Sequence, residues 1–205
     1  MGKIVKEACI LFAITLVAGI LLGVVYQVTK EPIEKANYEK QQKAYKEVLA
    51  DAETFKDIDN AEDFIKNINE KLSADETLAA DSIESAVLGL DASGKTVGYV
   101  FTVVAGGGYS GDIKFSVGIS ADGNYAGTSI LSISETPGLG MRAQSDPSYL
   151  NQFKGAPASE FKLVKDGSGS AEKDNTIDAI SGSTITSKCI LNGINAAMKA
   201  FAEIN

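Results

Sequence analysis

Along the chain, hydrophobic and polar positions alternate in three different ways. From Ala8 to Thr29 no charged residue interrupts a run that includes Ile10, Leu11, Phe12, Leu16, Ile20, Leu21, Val24 and Val25. A stretch of this kind is long enough for a helix to cross ~30 Å of hydrocarbon. The rival, a cleaved signal peptide, calls for an apolar core of ~7–15 residues closed by a small-x-small site, which Val25–Thr29 does not offer. Lys3 and Lys6 outweigh Glu7 on the short side. The positive-inside rule therefore predicts a cytoplasmic N-terminus over 1–7, a retained transmembrane helix over 8–29, and the remainder outside the cell. Gly19 and Gly23 have the spacing that lets a neighbouring helix approach, a pattern common by chance.

The second pattern is helical and mostly charged. Pro32 suits the first turn of a new helix, in which Ile33, Ala36, Tyr38, Ala44, Val48 and Leu49 form one partly buried face. Asn60 is placed to cap a second helix, Ala61 to Leu72, with Phe64, Ile65 and Ile68 on one side. Residues 30–80 thus read as juxtamembrane helices. From residue 81 the period shortens. Ala86–Leu90, Val97–Ala105, Ile113–Ser120 and Tyr125–Ser134 read as strands, divided by the turn clusters 91–94, 106–111 and 121–124. A short helix begins at Asp146-Pro147, Phe161–Val164 reads as a further strand, 166–175 as a mobile surface loop, and Ile185 to Ala202 as a final amphipathic helix. The expected class is α+β: one transmembrane helix, then one domain over 81–205 with a mainly antiparallel sheet flanked by helices.

Composition narrows the chemistry. The net charge of −8 argues against nucleic acid as a partner, since a phosphate backbone is met by clustered Lys and Arg. The chain has no His, which removes the usual general base, the Ser-His and Cys-His pairs and most zinc or haem ligation. Cys9 lies in the apolar run and Cys189 in the last helix, so both read as small packed residues rather than a disulfide.

The candidate chemistry gathers at Asp178-Ala179-Ile180-Ser181-Gly182-Ser183-Thr184-Ile185-Thr186-Ser187, where a hydroxyl-rich loop enters a helix. The unpaired N–H groups and dipole of a helix start suit a phosphate. Gly182 to Lys188 approaches a phosphate-loop pattern, but Ser187 stands where the second Gly belongs and Cys189 where the hydroxyl belongs, which argues against nucleotide hydrolysis. Gly106, Gly108 and Gly111 satisfy Gly-x-Gly-x-x-Gly, yet the segment after them continues as a strand, so a dinucleotide fingerprint is rejected. Pro137-Gly138 predicts a type II turn. Tyr149 and Phe153, one turn apart, and Met198 with Phe201 read as core.

The stretch from Asp178 to Thr186 resembles the flavinylation motif of the FMN-binding domain found in the G subunit of Rnf electron-transport complexes and the C subunit of Na+-pumping NADH:quinone reductases. That motif runs Asp-x-(Ile/Leu/Val)-(Ser/Thr)-Gly-Ala-(Ser/Thr)-x-(Ser/Thr), with Ser183 here in the place of Ala. Glu135-Thr136-Pro137-Gly138-Leu139-Gly140 and Gly108-Tyr109-Ser110-Gly111-Asp112-Ile113 resemble further segments of the same family. A His that members often carry shortly before the first of these is Ile133 here. The resemblance implies FMN joined covalently through its phosphate to Thr186. Ser181, Gly182, Ser183, Thr184 and Asp178 would lie about the phosphate, with Glu135, Thr136, Gly138, Leu139 and Tyr109 against the flavin, and Met141 is a further candidate for ring contact. Asp178 beside a phosphate calls for a counter-cation, Lys173 or Lys188.

No His or Cys is at hand to activate the threonine. The resemblance implies a separate Mg2+-dependent flavin transferase that draws on FAD, and a motif exposed enough to enter it. It implies a single-pass protein of the cell inner membrane, working with the other membrane subunits of an Rnf complex that couples electron transfer between ferredoxin and NAD to ion movement. The C subunit of the Na+-translocating quinone reductase remains the sister reading. A membrane-anchored ligand-binding or sensory module without redox activity is the alternative from another class, and a scaffold with a decayed motif is a third.

Overall fold

A computed structural model describes residues 2–169 and 171–204. The apolar block and the charged segment after it form one helix, α1 (Gly2–Val48), which is long and apolar enough to cross a bilayer. The new helix expected at Pro32 is not found, because Pro32 lies inside α1. A proline within a helix gives up its own N–H bond and crowds one carbonyl. Here good helix formers on both sides, with Lys30–Glu34 and Lys35–Glu39 pairs one turn apart, carry the helix through it. The chain divides into two compact units, Met1–Lys40 and Gln41–Asn205. In α1, Ile33 and Tyr38 are exposed while Ala44, Tyr45 and Val48 are buried, so the predicted buried face exists only in its last turns.

In the second unit, β1 (Thr54–Asp57), α2 (Ala61–Ser73), β2 (Ser82–Leu90), β3 (Thr96–Ala105), β4 (Ile113–Ser120) and β5 (Tyr125–Ser132) follow in order. The strands form a five-stranded sheet in sequence order, antiparallel throughout. No sequence pattern foretells β1: three of its four residues are exposed, and it exists because its backbone pairs with β2. α2 begins at the expected place, but Asn60 does not cap it through its side chain. Asn60 instead takes the left-handed conformation (φ 54°) and offers its carbonyl to Phe64 N–H.

The sheet buries both faces. On one, Val87 and Val100 meet Tyr45, Val48, Leu49 and Ala52. Gly118 permits this, since a Cβ there would lie 2.4 Å from Val48 O. On the other, Phe101, Val103, Ala105, Ile113, Phe115 and Val117 meet α2 and the last helix.

Between β5 and that helix come α3 (Arg142–Ser145), α4 (Ser148–Asn151), β6 (Lys162–Val164), α5 (Ala171–Asp174) and β7 (Thr176–Asp178), with β6 and β7 parallel. Part of the predicted 166–175 loop is thus the short helix α5. Tyr125, Tyr149 and Phe161 pack around Phe153, with ring centroids 5.0 to 5.8 Å from its own. The final helix, α6 (Thr184–Ala202), lies directly on the sheet. Asn195 fixes it sideways, accepting from Phe161 N–H at 2.8 Å and donating to Phe161 O at 2.9 Å. Gly193 sets its height, because a Cβ there would fall 2.6 Å from Phe115 Cζ and 2.8 Å from Ala105 Cβ. Gly193→Val is expected to cost about 1–3 kcal/mol through this overpacking, measured by urea unfolding of the detergent-solubilised chain against wild type.

Candidate functional site

Three segments converge at the start of α6. The first is the loop into the helix. Ser183 N–H bonds Ile180 O at 2.9 Å and Ser187 N–H bonds Ser183 O at 2.9 Å. The Ser187 hydroxyl ties the two together, accepting from Ile180 N–H at 2.9 Å and donating to Ser183 O at 2.9 Å. Gly182 sits at φ 76°, a conformation that favours glycine. The loop therefore presents the first-turn amides of Thr184, Ile185 and Thr186, which have no carbonyl one turn earlier in the helix to bond. Ser183 stands at the N-cap position but makes no capping bond, and its buried Oγ has no partner.

The second segment is the turn after β5. Leu139 N–H bonds Thr136 O at 3.1 Å and Gly138 has φ 76°, the type II turn that Pro137-Gly138 predicts. The third is the glycine turn before β4. It leaves Tyr109 70 % exposed and places Ser110 N–H 3.3 Å from Glu135 Oε1.

Together these segments enclose a cavity of about 540 Å³ lined by Tyr109, Glu135, Thr136, Leu139, Gly140, Gly182, Ser183, Thr184, Ile185 and Thr186. This size falls within the ~300–1,000 Å³ of small-molecule sites. Its mouth is apolar. Tyr109, Leu139 and Ile185 are the exposed large hydrophobic residues among the described part of the second unit. Its floor is hydroxylic. The Thr186 hydroxyl donates to Glu135 Oε2 at 3.1 Å, and Thr186 is only 2 % exposed.

This corrects the expectation of an exposed acceptor: the oxygen is covered by Glu135 and by Gly140, where a Cβ would sit 2.6 Å from Thr186 Oγ1. No sequence pattern announces that contact, since residues 135 and 186 are brought together only by the way α6 lies on the sheet.

Of the predicted site residues, Gly138 shapes the turn without lining this cavity. Asp178 and Ser181 line a neighbouring one of about 250 Å³, with Arg142, Asp146, Ser148, Tyr149 and Gln152. Asp178 belongs to the framework of the loop. Its backbone exchanges two hydrogen bonds with the Gln152 amide, one oxygen accepts from Gly169 N–H at 3.1 Å, and the other is buried without a partner. Neither Lys173 nor Lys188 pairs with it among the described residues. Met141 lies outside the cavity, at the entry to α3. Gly140 and Ile185 line it although their positions in the motifs do not mark them out.

Cys189 is buried, and its thiol donates to Ala105 O at 3.4 Å. Burial first, then the charges of Asp81, Glu135 and Asp112, push this thiol up to about 12, which leaves it protonated and unreactive. Asp81, 5 % exposed just before β2, accepts from Gly106 N–H at 3.2 Å through one oxygen, while its other oxygen has no partner. Burial raises its pKa to about 7.

A half-enclosed cavity with an apolar mouth, a hydroxyl floor and a helix start at its base is suited to a cofactor with a flat ring and a phosphate. Residues 108–199 match the FMN-binding domain family, and residues 1–48 match the RnfG N-terminal region. The chain is therefore an FMN-binding domain carried behind a helix able to cross a membrane. It is 33% identical over 200 residues to the G subunit of the Na(+)-translocating ferredoxin:NAD(+) oxidoreductase complex of Acetobacterium woodii, covering 98% of this chain and 92% of that one. It is 30% identical over 203 residues to the proton-translocating counterpart of Clostridium ljungdahlii, covering 95% and 93%. The crystal structure of Shewanella oneidensis NqrC is similar at 27% identity over 55% of this chain and 54% of that one, with a TM-score of 0.48. The chain belongs to the family of G subunits of ion-translocating oxidoreductase (Rnf) complexes.

Asp81 gives a test of the wall behind the glycine turn. Between the ordinary value of 3.8 and about 7, the folded chain holds a proton there that the unfolded chain does not. Its contribution to stability is full below that window and is lost as pH rises through it. Asp81→Asn is expected to raise the melting temperature at pH 8 by several degrees and to leave it little changed at pH 4, in thermal scans of both proteins across pH.

Proposed function

We propose that the cavity holds FMN joined through its phosphate to Thr186 Oγ1, and that the chain serves as one electron relay in a membrane complex coupling electron transfer between ferredoxin and NAD to ion movement. The observation that carries this reading is the position of Thr186 in the first turn of α6, on the floor of the cavity beside the unpartnered Ser183 hydroxyl. A buried hydroxyl without a partner is costly unless a ligand completes it. The lining includes no Lys or Arg, so the helix start, with its free amides and positive dipole end, is what remains to meet the phosphate charge. The residues present therefore fit the group.

FMN supplies one- and two-electron transfer when bound, and the protein supplies position and surroundings. In this reading Ser183, Thr184 and the first-turn amides hold the phosphate, Gly182 gives the loop its close approach, and Tyr109, Leu139 and Ile185 flank the ring. Thr136 and the Gly138 turn close one side. Asp178 and Ser181 support the loop from the neighbouring cavity, where Asp178 stays clear of the phosphate charge. The helix of residues 8–29 anchors the chain in the cytoplasmic membrane as a single span, with residues 1–7 in the cytoplasm and the FMN-binding domain outside. There a covalent tether keeps the cofactor from being lost. A separate flavin transferase carries out attachment, and the turn over Thr186 opens to admit it.

Mass spectrometry of the protein co-expressed with a flavin transferase tests this. The expected result is an FMN adduct on a peptide containing Thr186, absent from Thr186→Ala. An unmodified wild-type chain overturns the reading. Ser183→Ala is expected to lower adduct formation about tenfold, as loss of one phosphate hydrogen bond implies, while leaving the melting temperature of the unmodified chain unchanged or slightly higher, because its Oγ has no partner to lose.

A further inference from the structure

The carboxylate that covers the acceptor oxygen has a role the preceding reading does not use, and the inference rests on that reading. Glu135 is 5 % exposed. One of its oxygens accepts from Thr186 Oγ1 at 3.1 Å and the other from Ser110 N–H at 3.3 Å. The backbone of Gly140 presses on the pair, and a Cβ there would lie 2.7 Å from Glu135 Oε2. An ionised carboxylate only accepts, so the threonine proton points at Glu135 and the oxygen's lone pairs are turned elsewhere. A phosphodiester formed at that oxygen would take away the donor and set one anion against another, with no cation in the lining. Moving one proton removes both difficulties.

We propose that Glu135 is the base for flavin attachment, built into the acceptor itself. It orients Thr186 Oγ1, takes its proton as the oxygen attacks, and then, as a neutral acid, donates a hydrogen bond to the phosphodiester. The bond between Thr186 Oγ1 and the flavin-side phosphorus of a flavin adenine dinucleotide forms. The bond from that phosphorus to the bridging oxygen breaks, AMP leaves with the electron pair, and the proton remains on Glu135. The turn has the freedom the step requires. Gly138, at φ 76°, and Gly140 lie in the part that must lift away, while Glu135 stays pinned by Ser110 N–H.

The titratable or charged groups on the elements around Glu135 include Tyr109 and Asp112 in the glycine turn, Lys114 on β4, Arg142 on α3, Lys188, Cys189 and Lys199 on α6, and Asp81 before β2. With its thiol held at about 12, Cys189 does not compete for the proton, whereas Asp81, at about 7, titrates in the working range. The test is therefore run in an Asp81→Asn background.

Initial rates of FMN transfer to the full chain, with purified transferase, FAD and Mg2+, are followed by flavin fluorescence on denaturing gels across pH. Glu135→Gln keeps the shape and the acceptor oxygen but not the base. It is expected to react about a hundredfold more slowly. Glu135→Asp is expected to recover part of the rate. The infrared difference spectrum of flavinylated minus unmodified protein is expected to show the carbonyl band of a protonated carboxylic acid, absent in Glu135→Gln. A Glu135→Gln chain that reacts at the wild-type rate with the wild-type profile overturns the proposal, as does the absence of that band from the flavinylated wild type. Absence of any adduct on the wild-type chain overturns the attachment reading instead.

Discussion

The height of α6 above the sheet is the constraint on which the site depends. Gly193 lets the helix settle against Phe115 and Ala105, and Asn195 locks it to Phe161. A larger residue at 193 would lift the helix axis. Thr186 lies two turns toward the N-terminus of the same rigid rod, so a displacement there would move its oxygen relative to Glu135, which hangs from the end of β5. A 3.1 Å hydrogen bond between side chains 51 residues apart survives only if both supports are fixed. The antiparallel sheet fixes one and the close-packed helix the other. The site is thus precise because it is built from element ends rather than from the middles of loops.

Charge gives the second constraint. The chain carries a net charge of −8, and the carboxylates Asp81, Asp112 and Glu135 act together on Cys189 near the site. An anionic phosphate would be out of place among them were it held by side chains alone. The start of α6 solves this with backbone: amides without carbonyl partners, aligned dipoles and a hydroxyl without a hydrogen-bond partner. Asp178, the one carboxylate of the motif, faces a different cavity and ties down the loop through Gln152 and Gly169.

Sequence periodicity is enough to find the four long strands of the sheet, the last helix and the type II turn, because each buries a face or needs a residue of special conformation. It misplaces features that depend on partners. β1 has no apolar pattern and is held by β2. Pro32 does not start a helix, since one lost hydrogen bond is small against the helix formers around it. Asn60 marks a helix start, yet works through its backbone in a left-handed conformation. At the site, the hydroxyl-rich loop entering a helix marks a seat for an anion and the resemblance to a flavinylation motif singles out Thr186, but burial of Thr186 and its bond to Glu135 come from tertiary approach. Gly140 and Ile185 join the lining for the same reason.

The apolar mouth explains why such a site would use a tether. Tyr109 is 70 % exposed, Ile185 54 % and Leu139 45 %, so the walls of the cavity cover a ring from its sides and leave it open outward. An open site costs binding affinity, because much of a ligand's surface stays in water. It also brings the edge of a flat cofactor close to whatever lies in front of it, which is what an electron relay needs. The proposed covalent bond to Thr186 would separate these two demands: retention would rest on the phosphoester at the helix start, and the apolar rim would be left to set the orientation of the ring. Deep enclosure would have given affinity without a bond, at the expense of distance to the next carrier. The combination seen here, a rigid hydroxyl floor under an uncovered apolar rim, is the arrangement expected when holding the cofactor and exposing it are assigned to different parts of one site.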